Sequence, residues 1–223
     1  MVRKTIGVLA VVLLVAGVAP AWAQHHFEVG ATFNSGLSDG VSGDSFLAPD
    51  GNIYDRIDPK NGFAFNLSIG YNFSPNWEAD FIYAHQGSSL EIGGTATRTI
   101  GDMSVQTYHG AVVYNFLDEH AHLRPYVLGG LGATNYGDVT FTDSTGLSRS
   151  ISGQSKFSTT WGGGVKYYAT PNVGIKAGVR FTPAYIKSDS AGWWCDPYWG
   201  CYVVGNAQYA TQIEIGGGVT FRF

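Results

Sequence analysis

The 223-residue chain carries 13 Lys and Arg against 17 Asp and Glu, and charged residues make up only 13% of it, about half the ~25% usual for soluble proteins. Its formal charge of -4 becomes -6 once Arg3 and Lys4 are set aside, so the basic surface that nucleic-acid binding requires is missing. So low a charge content suits a protein with a large area facing hydrocarbon.

In chain order, Arg3 and Lys4 give a basic start, residues 6–19 are apolar, and Ala21-Trp22-Ala23 has the small-x-small form of a cleavage site before Gln24. This is the pattern of a secretory signal peptide over residues 1–23, leaving 24–223 as the mature domain. An apolar run of about 14 residues is short of the ~20 that a membrane helix needs. No longer run follows, so a membrane-spanning mature chain must cross as a barrel.

Segments with side chains alternating apolar and polar then recur at 27–34, 63–73, 77–88, 105–116, 124–136, 157–168, 173–187 and 213–223. A strand has a side-chain period of two, so these are read as eight strands with one apolar face each. Ser74-Pro75-Asn76 and Thr170-Pro171-Asn172 are tight turns, because Pro presets the turn dihedral and Asn tolerates the tight backbone. Residues 117–123 form a slightly longer turn. The other connections (35–61, 89–104, 137–155 and 188–206) are long and polar. Short turns at one end and long loops at the other predict an up-and-down antiparallel barrel with both termini in the periplasm. Tyr71, Phe73, Trp77, Tyr114, Phe116, Tyr167 and Tyr168 bracket the short turns and are expected to form the periplasmic aromatic girdle.

With the apolar face outward, the inward positions include Asn34, Asn66 and Asn72, together with four acids, Glu28, Glu78, Asp80 and Glu214, and four bases, Lys166, Lys176, Arg180 and Arg222. Buried charges are tolerated only when paired and hydrogen-bonded, so these residues are expected to form a lumen salt-bridge network. An eight-stranded interior is just wide enough for side chains to fill, which favours a polar plug over an ion-selective path.

Outside the wall, the first long loop holds Asp39, Asp44, Asp50, Asp55 and Asp58 without the spacing of a calcium loop. His85, Ser88 and Glu91 supply the residue types of a serine hydrolase, but their spacing is weak. The expectation is therefore no catalytic residue, no metal ligand and no cofactor. His25, His26, His120 and His122 have no full ligand set. In the last long loop Cys195 and Cys201 lie six apart in an exported chain, so a disulfide is expected. Around them stand Trp193, Trp194, Tyr198, Trp199 and Tyr202. These rings are either a contact surface for a partner or part of the outer interfacial belt.

The closing strand ends on Phe221-Arg222-Phe223. Together with the Pro-Asn turns after aromatic strand ends, residues 123–132 (LRPYVLGGLG), 162–167 (GGGVKY) and 219–223 (VTFRF), it resembles the outer-membrane β-barrel domain of the OmpA/OmpX-like and opacity-like families, which include porin-like small barrels. The resemblance covers nearly the whole mature chain. It implies an eight-stranded transmembrane barrel in the bacterial outer membrane whose terminal residues, Phe221 and Phe223, are read by the barrel-assembly machinery. The functional expectation is a structural or surface-interaction role through long extracellular loops. Its partners are outer-membrane lipid, lipopolysaccharide and an extracellular protein or matrix component. A narrow porin-like channel is the alternative, with a lipid-modifying enzyme third.

Overall fold

The computed structural model describes residues 26–39, 41–47, 51–118, 120–142, 148–186, 194–196, 200–202 and 208–223. The expected signal peptide lies outside them. The described residues form β-structure throughout: β1 (Phe27–Ser38), β2 (Val41–Leu47), β3 (Ile53–Pro59), β4 (Gly62–Asn72), β5 (Trp77–Gly94), β6 (Arg98–Asn115), β7 (Leu123–Tyr136), β8 (Val139–Thr142), β9 (Ser148–Ile151), β10 (Gln154–Tyr168), β11 (Val173–Ile186), β12 (Trp194–Asp196), β13 (Gly200–Tyr202) and β14 (Gln208–Arg222).

Period-two alternation decides which way each strand faces. Along β5, Glu78, Asp80, Ile82, Ala84 and Gln86 are buried, while Trp77, Ala79 and Phe81 are exposed. The same division runs round the molecule, with a polar interior and an apolar exterior that includes Phe63, Leu131, Trp161 and Ile175. A soluble sandwich would place these side chains in its core. Here they stand outside, where only hydrocarbon would cover them.

Eight strands pair in a closed antiparallel ring, β1–β4–β5–β6–β7–β10–β11–β14 and back to β1. Closure leaves no edge within the wall. Following paired residues round the ring leads from Phe27 through Tyr71, Ala79, Val112, Gly129, Trp161, Phe181 and Ile213 to Leu37. The path thus returns ten residues further along β1 than it began. A stagger of this kind goes with a strand tilt of roughly 35–45°. The seam is bonded to the last residue, since Phe223 N–H donates to the Phe27 carbonyl at 2.8 Å and Phe27 N–H donates back at 3.2 Å.

The short-turn rim is built twice, 96 residues apart. His26 Nδ1 bonds the Asn72 carbonyl at 3.0 Å, as His122 Nδ1 bonds that of Tyr168 at 2.8 Å. The Ser74 and Thr170 hydroxyls each accept the N–H three residues on, at 3.1 Å. Asn76 Nδ2 donates to the Asn115 carbonyl at 2.8 Å, and Asn172 Nδ2 to that of Arg222 at 2.9 Å. The wall is thus two similar four-stranded halves.

Tyr71, Phe73, Trp77, Phe116 and Tyr167 are exposed at this rim, and Tyr114 packs against Trp77 and Phe116 with ring centroids 4.9 and 5.2 Å apart. Tyr168 is the exception to the expected girdle. It follows the outward Tyr167, so the alternation turns it into the lumen, where it is buried.

At the opposite end, much of what composition reads as loop is strand. β5 runs on to Gly94 and β6 starts at Arg98, so most of the expected connection 89–104 is a hairpin arm. The arm alternates, with Leu90, Ile92 and Met103 turned to one side. They bury there with Tyr54, Val105, Tyr136, Val139 and Ala184 in an apolar cap. Polar residues on the other face hide this pattern in the sequence. The β2–β3 hairpin pairs along the β5 arm, and β8–β9 joins β6 through Asp102 and Thr140. β12 and β13 form a separate two-stranded ladder.

Candidate functional site

The eight acids and bases expected in the lumen are all buried, and the barrel brings them together from five strands, β1, β5, β10, β11 and β14. At the short-turn end Lys166 Nζ lies 2.7 Å from Glu28 Oε1 and 2.7 Å from Glu78 Oε2. Tyr168 donates its hydroxyl to Glu28 Oε2 at 2.6 Å, and the Arg222 guanidinium sits 3.8 Å from the Tyr168 ring centroid. Asn115 Nδ2 adds a donor to Glu78 Oε2 at 3.4 Å. Charges at such depth persist because each finds opposite charge and hydrogen bonds.

Above this floor, Lys176 Nζ stands 4.0 Å from Asp80 Oδ2 and 5.0 Å from the Tyr126 ring centroid. Higher again, Glu214 accepts from Arg180 Nη2 at 2.7 Å, Asn66 Nδ2 at 2.6 Å and Asn34 Nδ2 at 3.3 Å. Two inward glycines make room for the large side chains here. A methyl on Gly164 or Gly178 would stand 2.9 or 2.8 Å from the Tyr126 hydroxyl.

Three groups went unread in the sequence. Arg124 is almost fully buried and donates to the Pro75 carbonyl at 2.7 Å and the Leu117 carbonyl at 3.3 Å, tying two short turns to the lumen floor. Arg124 opens the alternating segment 124–136 and shares the parity of the buried Tyr126 and Leu128, so the alternation itself turns it inward. His109 Nε2 pairs with Ser158 Oγ at 2.9 Å, and Thr134 donates to the same oxygen at 3.0 Å. Gln212 donates to Gln86 across the lumen at 2.5 Å. Ser158, Thr134, Gln86 and Gln212 carry no charge, and His109 is not counted in the formal charge, so a search for charged residues passes over these two clusters.

The charges are arranged asymmetrically. Glu28, Glu78 and Asp80 lie on β1 and β5 of the first half, whereas Arg124, Lys166, Lys176, Arg180 and Arg222 lie on β7, β10, β11 and β14 of the second. Glu214, on β14, is the exception. The floor pairs therefore cross the interior, as in Lys166 with Glu78, 88 residues away.

The hydrolase-like residues do not assemble. His85 and Ser88 are three apart on β5, so period two sends them to opposite faces. Ser88 donates to the Lys60 carbonyl at 2.6 Å, and Glu91 pairs with the Lys60 ammonium at 3.2 Å. Phe221 faces outward on β14, where it pairs with Val29 and Val173. Cys195 stands opposite Cys201 in the β12–β13 register, as Trp194 does opposite Tyr202. Trp193, Tyr198 and Trp199 lie outside the described residues.

A family model described as the outer membrane protein beta-barrel domain matches residues 6–223. Outer membrane porin F of Pseudomonas fluorescens is 29% identical over 125 residues, which are 54% of this chain and 35% of that protein. The chain thus matches about a third of that relative's length. Among solved structures, OprG from Pseudomonas aeruginosa has a TM-score of 0.61 at 16% identity, covering 89% of this chain and 96% of that one. Neisserial surface protein A has a TM-score of 0.55 at 17% identity, covering 88% and 97%. At these identities the likeness is one of fold.

Proposed function

Because the chain belongs to the family of outer membrane proteins that share this β-barrel domain, we propose that it serves the bacterial outer membrane as a closed, non-enzymatic barrel acting through the segments above its rim. The observation that carries this reading is the lumen floor, where Lys166 joins Glu28 and Glu78 at 2.7 Å each and so ties β10 to β1 and β5 across the interior. The arms beyond the rim support a surface role, since a purely structural wall has no use for them. Trp193, Trp194, Tyr198, Trp199 and Tyr202 would supply the contact to an extracellular protein or matrix component, held by a Cys195–Cys201 disulfide. Export would follow cleavage after Ala23. Lipopolysaccharide would surround the wall, and the barrel-assembly machinery would read Phe221 and Phe223.

A narrow channel is the second reading, supported by the name of the porin F relative. Conductance of the refolded protein in planar bilayers separates the two. The closed barrel should give current at background. Stable open steps in the wild type would overturn it in favour of the channel.

A further inference from the structure

Between the charged floor and the apolar cap lies a layer that holds most of the buried polar side-chain atoms lacking a partner among the described residues. Among the described residues, both Asp80 carboxylate oxygens, Arg180 Nε and Nη1, Asn66 Oδ1 and His109 Nδ1 are buried without a hydrogen-bond partner, as are the hydroxyls of Thr107, Thr160 and Thr182. Lys176, Arg180, Asn66, Glu214 and Tyr126 line a cavity of about 60 Å³ within this layer. The layer ends upward in the apolar side chains of Val105, Tyr136 and Ala184, and Ile186, two residues beyond Ala184 on the same face of β11, is fully buried.

Buried polar atoms are almost always bonded, and where protein supplies no partner, water does. A water needs roughly 10–15 Å³ of such space and makes about three hydrogen bonds, so the cavity has room for a few. Lys176 and Asp80, 4.0 Å apart, are at a separation that a bridging water suits. Within the described cluster the Tyr54 and Tyr136 phenols are the polar side-chain groups, and apolar constrictions close pores by excluding water.

We propose that the middle of the lumen is a water-binding chamber sealed by two barriers in series, the ion-pair floor below and the apolar cap above. This rests on the closed-barrel reading and refines it. The floor alone does not close the barrel. Breaking its pairs admits water to the chamber, while ions still stop beneath the cap.

The test compares planar-bilayer currents of four full-length proteins, each first checked for the mobility shift of a folded barrel. They are the wild type, a floor variant (Glu78→Ala with Lys166→Ala), a cap variant (Tyr136→Ser with Ile186→Ser), and the two combined. Both partial variants should remain at background, and only the combined protein should show discrete steps, ~10-fold or more above it. Combined-level current in either partial variant, or a silent combined protein, overturns the two-barrier arrangement. Current in the wild type instead defeats the closed-barrel reading beneath it. Should a variant fail to fold, wild-type protein in micelles still decides the chamber. Magnetisation transfer from long-lived water to the methyls of Thr32 and Ile82, which line the cavity, is expected, and its absence refutes the proposal.

Discussion

Arg124 occupies in the second half of the barrel the place that Glu28 holds in the first. Each is two residues beyond a histidine whose Nδ1 bonds a backbone carbonyl 46 residues further on. Asp80 and Lys176 are related by the same shift. Two similar halves thus carry opposite charge at matching positions. Ion pairs then form across the lumen between halves, and the barrel is braced through its interior as well as along its wall.

Lys166 is the centre of that brace. Lys166→Met leaves Glu28 and Glu78 buried without their cation, and breaking a buried pair costs about 3–5 kcal/mol. Urea unfolding in lipid vesicles should show this loss. Adding Glu28→Gln and Glu78→Gln should recover most of it, because the stranded charges are then gone. A Lys166→Met protein as stable as wild type would mean that the floor contributes nothing.

Neighbouring tyrosines should behave oppositely. Tyr168→Phe removes the hydroxyl that donates to Glu28 at 2.6 Å, leaving a buried oxygen one donor short at a cost of ~1–3 kcal/mol. Tyr167→Phe, on the exposed face, should stay within ~0.5 kcal/mol. Equal effects in the same unfolding assay would contradict the assigned facing of β10.

The lipid face gives a depth-dependent prediction. Leu131 is 62% exposed in the middle of the wall, where an Arg costs ~2–4 kcal/mol in the membrane. Phe221→Asp lies beside the short-turn rim, where charges cost only ~0–1 kcal/mol. If Phe221 and Phe223 serve assembly, Phe221→Asp or loss of Phe223 should lower the folded fraction in cells while refolding in detergent remains near normal. Full folded yield in cells for both would remove the case for a terminal assembly signal.

Directly opposed antiparallel residues have Cα atoms about 4.5–5.5 Å apart, inside the ~4.4–6.8 Å range of disulfides. Peptide mapping without reduction should therefore recover residues 195 and 201 linked. Cys195→Ser with Cys201→Ser should keep the folded-barrel gel shift, because the closed wall does not include β12 or β13. Surface binding should fall in that variant and in Trp199→Ala alike. Free thiols in the mature protein, or a double variant that fails to insert, would defeat the picture of a locked but dispensable loop.

By itself the sequence determined the barrel wall. Period-two alternation is a local property, so Ile213, Ile215, Phe221 and their counterparts declare the outward face without knowledge of any partner strand, and Glu28, Lys166 and Arg180 fall inward by parity. Pro-Asn turns mark the strand ends because their dihedral preferences are equally local. What the tertiary structure decided was partnership. That Lys166 takes two carboxylates from the opposite half, while Lys176 stands 4.0 Å from Asp80, follows from the ten-residue stagger of the closed ring, which no single strand encodes. As a strand-end aromatic Tyr168 reads as part of the girdle, but it is buried. Its place one residue beyond Tyr167 turns it into the lumen. The β5–β6 arm was hidden because Leu90, Ile92 and Met103 alternate with polar residues in a stretch that reads as loop until Tyr54, Tyr136 and Val139, from distant strands, supply a core for them to bury against.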